Sequence, residues 1–529
     1  MTTPDFILYC VVAALGLGLA LGILVLPGVR QKGLPPGPST LPFIGNIHQI
    51  PKTGLHLWLS KCARKYGPLL SLKIGPSNVI VLSSGYYMNQ LLEKRSLYYS
   101  DRPVSYVVGD QVYGGDHPML MNADERWRLR RKLYFQLLQE SRCNKDHLRI
   151  VEAETAQMLR DICLEPESIM HHPGRFSNSV IMSLVYGIRT PSTETPHYKK
   201  LQRIMTELSA IGEIGSTPPV DAIPFTKYLP ERFWRNWRTR TTELRAQVDG
   251  LYLSLIERIS ERRKAGDRRD SFVDRVIDKE ALSWHEIAIM CGNLMEGGTD
   301  TMATTTLVFL QAMATNPDIQ DKAQAEIDSV VDASRAPTWD DFDKLPYITQ
   351  VIKELLRWRP PAPSAFPHTV TKDDIIDDMK IPANSTVIVN LWGLHHDPAR
   401  YSEPEVFKPS RFEGKTAPAS VYANAGDHEK RDHYAYGTGR RICPGIHLAE
   451  RGLFHSVAKI LWGFRVSPRV GPNGRVIPID CDPATGYKDG FLNHCNPFEV
   501  DVTVRTEAHR ETIMSKAKKA EQEVFSVYM

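Results

Sequence analysis

Cys443 lies in "YGTGRRICPGIHLAE", residues 436–450, after Arg440 and Arg441 and just before a Pro-Gly pair that opens a helix. Neighbouring arginines favour the thiolate over the thiol, and so do the free N–H groups at a helix start. A cysteine held in that form is either a nucleophile or a soft metal ligand; the bland alternative is a small apolar packing residue. A second candidate pair is Asp300 and Thr301, set in the largely apolar stretch "WHEIAIMCGNLMEGGTDTMATTTLVFLQAMAT". An acid beside a hydroxyl in such a segment is costly unless both are used or paired. Gly297 and Gly298 precede them at once, and two interior glycines forfeit about 2 kcal/mol of helix propensity relative to alanine. Either a flat ligand against bare backbone or a close helix crossing would account for them. Glu354 and Arg357, three residues apart, share one helix face. On a surface such a pair contributes less than about 1 kcal/mol.

These residues need elements to hold them. Ser283 with Glu286 forms a capping box and Asn316-Pro317 is a stop, so a central helix is expected between them, buried because it is apolar on all sides. A second helix is expected from Pro346 to the stop at Pro360-Pro361, carrying Glu354 and Arg357. "LLSLKI" and "NVIVLS", joined through Gly75-Pro76, read as a β-hairpin, and "TVIVNLW" near 386–392 as another strand. Helical periodicity dominates from about 120 to 360. The fold class is therefore mainly α with smaller β-sheets.

The N-terminus reads differently. Phe6 to Leu26 is an uncharged apolar run of 21 residues, which at 1.5 Å per residue matches a hydrocarbon core of about 30 Å. It is expected to be a single transmembrane helix within an anchor at 1–33. Arg30 and Lys32 follow it while Asp5 precedes it, which places the body in the cytosol. A stiff proline-rich connector begins at Leu34. A charged, weakly amphipathic tail is expected over 506–529. The 529 residues carry a net charge of +4, with 42% hydrophobic and 24% charged residues. That balance suits a folded body and gives no sign of nucleic-acid binding. Eight scattered cysteines without a C-x-x-C pair offer no disulfide, zinc or iron–sulfur framework.

Taken in order, these segments resemble the cytochrome P450 family. The family's F-x-x-G-x-R-x-C-x-G loop is matched by Tyr436, Gly439, Arg441, Cys443 and Gly445, with Tyr replacing Phe. Its central-helix signature is matched by Gly297, Gly298, Thr299, Asp300 and Thr301, with Met302 departing at the last position. The Glu-x-x-Arg pair is Glu354 and Arg357, its third partner Arg411 in "FKPSRF", and the early Trp-x-x-x-Arg is Trp127 and Arg131. The likeness covers about 34–505 as a catalytic domain, as well as the anchor.

The resemblance implies a haem cofactor with Cys443 as the thiolate ligand of its iron. It implies Arg441, Trp127, Arg131 and His368 at the propionates and Gly298 against the cofactor. Asp300 and Thr301 would then deliver protons during oxygen activation. It further implies an NADPH–cytochrome P450 reductase as electron donor, with cytochrome b5 as an auxiliary one, and residence in the endoplasmic reticulum membrane. Arg126, Arg128, Arg130 and Lys132 are the expected docking face for the donor. The substrate would be a small organic molecule, met by segments near 101–122, 205–225, 362–367 and 482–490. The wording of the cysteine loop is similar to fungal secondary-metabolite enzymes. A P450-type isomerase or dehydratase and a non-catalytic haem sensor are the alternatives; the intact Asp300-Thr301 pair disfavours the first.

Overall fold

The computed structural model describes residues 28–213 and 215–528, together with Val11, Val12, Gly16 and Gly18. The expected membrane span at Phe6–Leu26 therefore lies almost wholly outside the described residues. No helix among the described residues is long and apolar enough to cross a membrane.

Among the described residues helices dominate, with three small sheets. The central helix runs from Trp284 to Thr315, between the predicted signals. Ser283 accepts from the Glu286 N–H, and the Glu286 carboxylate accepts from the Ser283 N–H at 2.9 Å, so the box caps both ends of the first turn. Most of its length is buried against the helices His172–Tyr186, Trp237–Lys264 and Ile446–Gly463. Gly298 belongs to this packing. A Cβ there would fall 2.8 Å from Ile181 Cγ1 of the helix His172–Tyr186. Gly297 meets nothing within 4 Å and leaves its backbone open. A helix crossing thus accounts for the missing side chain of Gly298, the residue expected against the cofactor, and Gly297 beside it exposes bare backbone.

Met302, the departure from the family signature, is buried. A Cβ on Gly452 would run into its sulfur, so methionine fills the crossing between the central helix and Ile446–Gly463.

The larger sheet has the order β1 (Leu69–Ile74), β2 (Ser77–Leu82), β6 (Thr386–Val389), β3 (His368–Thr369). The β1/β2 hairpin pairs Leu69 with Leu82 and Ile74 with Ser77. β2 runs parallel to β6, and β3 pairs antiparallel to β6 with His368 opposite Val387. The strand expected to reach residue 392 stops at Val389, because Asn390 caps a short helix, Leu391–His395, by accepting from the Gly393 N–H. Two further ribbons pair β4 (Asp374–Ile376) with β5 (Met379–Ile381), and β7 (Phe464–Pro468) with β8 (Val500–Val504).

Residues 506–528 are built into the body. Glu507–Glu523 is a helix whose Ile513, Ala517 and Ala520 are buried, and it packs against Leu148–Leu164. Phe525 follows, with the Arg189 guanidinium 3.2 Å from its ring centre.

Candidate functional site

The cysteine loop is fixed by its own backbone. The Cys443 N–H donates to Tyr436 O at 2.8 Å and the Gly437 N–H to Tyr434 O at 2.8 Å. Gly439 has φ +63°, and a Cβ there would collide with Leu92 O, so only glycine fits the turn. The helix Ile446–Gly463 starts directly beyond, with Gly445 as its cap. Burial pushes the Cys443 thiol up, opposed by the Gly445 N–H and by the charge of Arg131. This corrects the sequence-based reading in two respects. The nearby cation is Arg131 rather than Arg440 or Arg441, and the protein alone does not hold the thiol as a thiolate. A bound metal ion does so outright.

Arg131 donates to Ile442 O, next to the cysteine. Arg441 lies with its guanidinium 4.1 Å from the Trp127 ring centre and donates to Ser100 O at 2.8 Å, to Pro118 O and to Met121 O. Arg102, which the sequence did not single out, is buried and donates to Met119 O, Phe366 O and Pro367 O. Among the described residues no carboxylate is within ion-pair distance of Arg102, Arg131 or Arg441. Burial and the charge of Arg441 bring Arg102 down to about 9, and burial takes Arg441 to about 10. His368, also buried, bonds Tyr99 O through Nδ1 at 2.7 Å; burial and the Arg102 charge hold it well below its ordinary range.

On the central helix, the Thr301 hydroxyl donates to Gly297 O at 2.8 Å, leaving its oxygen as an acceptor. The Asp300 carboxyl is raised to about 7, first by burial and then by the charge of Glu296. Glu296 is buried, accepts from the Tyr113 hydroxyl at 2.8 Å and from the Tyr252 hydroxyl, and lies 2.9 Å from His117 Nε2. Thr299 accepts from Asn178 at 3.0 Å.

The family profile described as Cytochrome P450 matches residues 35–500. The chain belongs to the cytochrome P450 family. It is 55% identical over 481 residues to cytochrome P450 monooxygenase anuE of Penicillium roqueforti, covering 90% of this chain and 98% of that one. It is 44% identical over 531 residues to cytochrome P450 monooxygenase macC of Penicillium terrestre, covering 99% of each. Cytochrome P450 monooxygenase yanC of Aspergillus niger is 45% identical over 506 residues, 94% of each chain. The protein is thus a cytochrome P450 monooxygenase, an enzyme that uses a thiolate-ligated haem, O2, a small organic substrate and an external electron donor.

The residues present fit that P450 cofactor. Three arginines gathered without an ion-paired acid, Asp101 and Asp124 acting on Arg441 only from beyond ion-pair distance, are costly unless something negative faces them, and a haem brings two carboxylates. The structure brings Trp127, Arg131, Arg441 and His368 to one region with Arg102, and places Asp300 and Thr301 at successive positions of the central helix, Thr301 bonded to the open backbone at Gly297. Arg102 carried no signal in the sequence beyond an ordinary Asp-Arg-Pro; it is recognised only because the fold sets it beside Arg441 and His368.

The ion-pair network is present in full. Arg357 donates to Glu354 at 2.7 and 2.8 Å, Arg411 joins at 3.3 Å, and the Lys408 N–H donates to the same carboxylate at 2.8 Å. Glu354 and Arg357 are both 0% exposed. The expected basic docking face is smaller than the sequence indicated. Arg130 is buried, pairing with Asp116 at 3.1 Å and Glu286 at 2.9 Å, and Arg126 also pairs with Asp116. Arg126, Arg128 and Lys132 stay exposed on that helix, Arg126 with its charge engaged by Asp116.

Proposed function

We propose that this P450 hydroxylates or otherwise oxidises a small, largely apolar organic molecule in fungal secondary metabolism, with Cys443 as the haem ligand. The observation that carries the assignment of the ligand is the company Cys443 keeps. Its thiol receives the Gly445 N–H, and its nearest cation, Arg131, belongs to a group of arginines that lack carboxylate partners. Residues 34–505 form the catalytic domain in this reading. Trp127, Arg131, Arg441, His368 and Arg102 hold the propionates, and Gly297 gives room to the macrocycle.

The bound haem supplies O2 reduction and oxygen transfer, with its thiolate favouring O–O cleavage. The chain orients substrate, excludes water and moves protons. Asp300, poised near neutral pH, gives up a proton toward the reacting oxygen and regains one from the solvent side. Thr301, its hydroxyl hydrogen committed to Gly297 O, offers its oxygen to hold the water that carries that proton.

Electrons come from a membrane-bound NADPH–cytochrome P450 reductase, cytochrome b5 serving as a second donor, with Arg128 and Lys132 at the contact. The enzyme is anchored in the endoplasmic reticulum by 6–26 with its body in the cytosol. Membrane contact is supported by the segment between Pro196–Gly212 and Trp237–Lys264, where Phe225, Tyr228, Leu229 and Phe233 are exposed beside Lys227 and Arg232. Cys443→Ser tests the core of the reading. It should abolish turnover and the red-shifted band of the reduced, CO-treated enzyme; retention of that band would mean another residue is the ligand.

A further inference from the structure

His494 is the residue the mechanism above has not used. It stands in the chain segment 487–496, which the fold pins firmly. Tyr487 donates to Gln311 of the central helix at 2.8 Å, the Lys488 N–H donates to His494 O at 2.7 Å, and the Asn493 N–H donates to Pro361 O at 2.8 Å. This places the imidazole over one face of the central helix, where Asp300 and Thr304 are one turn apart. Its Nδ1 is 2.8 Å from Thr304 Oγ1, and its Nε2 is 4.0 Å from Asp300 Oδ2. The exposure is graded: the His494 side chain is 34% exposed and that of Asp300 19%, while Thr304 is buried.

We infer that His494 is a positioning residue that reprotonates Asp300 from solvent, so that the carboxyl is ready for each proton it delivers. The inference rests on the reading of Asp300 as the proton-delivering acid. With Nδ1–H donated to the Thr304 oxygen, the Nε2 lone pair faces Asp300 and the solvent side. A solvent proton adds at Nε2, giving an imidazolium. That same proton then passes to Asp300 Oδ2, leaving neutral imidazole and a neutral carboxyl. The 4.0 Å gap exceeds hydrogen-bond reach and closes by a small ring movement or one water. The charged groups facing the pair are Lys488 on the His494 side and Glu296 on the Asp300 side, with the Tyr198 hydroxyl also near Asp300. Lys488 disfavours a lasting imidazolium and Glu296 disfavours a lasting carboxylate, so both charges push the proton toward Asp300.

The test needs no substrate. Full-length enzyme, reconstituted with reductase, is supplied with NADPH and O2, and the split of O2 between hydrogen peroxide and water is measured against pH in H2O and D2O. His494→Gln keeps a partner for Thr304 but cannot carry the proton. It should lower the water-forming share by roughly tenfold above neutral pH, raise the solvent isotope effect, and leave haem content unchanged. Combined with Asp300→Asn it should add nothing further. A readout independent of turnover is thermal unfolding, in which the two single variants should shift Tm non-additively, as coupled neighbours do. Should His494→Gln fail to load haem, Thr304→Val, which frees the ring, reads the same route. If Asp300→Asn changes the split while His494→Gln and Thr304→Val leave the pH profile and isotope effect as in the wild type, the inference is overturned and the role of Asp300 stands. If Asp300→Asn also changes nothing, both readings fall.

Discussion

Replacing Glu354 by alanine removes one carboxylate and strands two cations. Arg357 is 0% exposed and Arg411 is 7% exposed at the side chain. Three guanidinium contacts disappear, and so does the acceptor of the Lys408 N–H. Breaking a buried pair from one side costs about 3–5 kcal/mol. Folded chains are stable by only about 5–15 kcal/mol, so the loss is a large share of the total. With an unfolding entropy near 2 cal/mol/K per residue, the 529-residue chain sums to roughly 1 kcal/mol/K, and Tm should fall by about 3–5 °C. The damage also has an address. Arg357 donates to His395 O and Pro404 O, and Arg411 to Ser402 O and Glu403 O. The network therefore holds the 395–411 segment from which the chain proceeds to the cysteine loop. Haem content per polypeptide, read from the reduced CO-treated spectrum, should collapse together with Tm, and Glu354→Gln should do less harm because it keeps an acceptor. A Glu354→Ala protein with full haem and Tm within about 1 °C of wild type would refute the reasoning.

Three further outcomes follow from the site. Arg102→Gln should weaken haem retention, measured as transfer to a haem-scavenging protein, by a factor comparable to Arg441→Gln; unchanged retention would remove Arg102 from the propionate site. Thr301→Val keeps the shape and loses the hydroxyl, so NADPH consumption should continue while hydrogen peroxide rises at the expense of water and product; unchanged coupling would make Thr301 structural. Asp300 is raised to about 7 when folded and titrates near 4 when unfolded. The folded state thus binds the extra proton, and stability falls as pH rises from about 4 to 7. Asp300→Asn should therefore unfold at a higher temperature than wild type at pH 8, with the gap closing toward pH 4. Equal Tm differences at both pH values would place the carboxyl in a less perturbed setting.

Local signals proved reliable where one short stretch determines the outcome. The Ser283–Glu286 box and the Asn316-Pro317 stop bound the central helix, and Pro346 opens the helix that carries Glu354 and Arg357. The hairpin at 69–82 likewise follows from alternation around a Gly-Pro turn. Features that depend on what another element brings were not legible. Gly298 answers to Ile181, 117 positions earlier in the chain, and Met302 to Gly452. Arg130 looks like its exposed neighbours until Asp116 and Glu286 close over it. His494 and Arg102 acquire meaning only through partners far away in sequence. The helix 507–523 has a charged composition that masks the narrow line of Ile513, Ala517 and Ala520 on which it docks.

That docking bears on how the chain is made. Ala520, Val524 and Phe525 cover Ala153 and Ala156, and the Thr512 hydroxyl donates to Ala333 O at 2.7 Å. These covering residues are translated after every residue assigned to the haem site. The Leu148–Leu164 helix must therefore wait, with its apolar stripe bare, until that late cover has emerged. A message cut short just after codon 505 would encode the whole catalytic centre and still yield a sticky, protease-sensitive product.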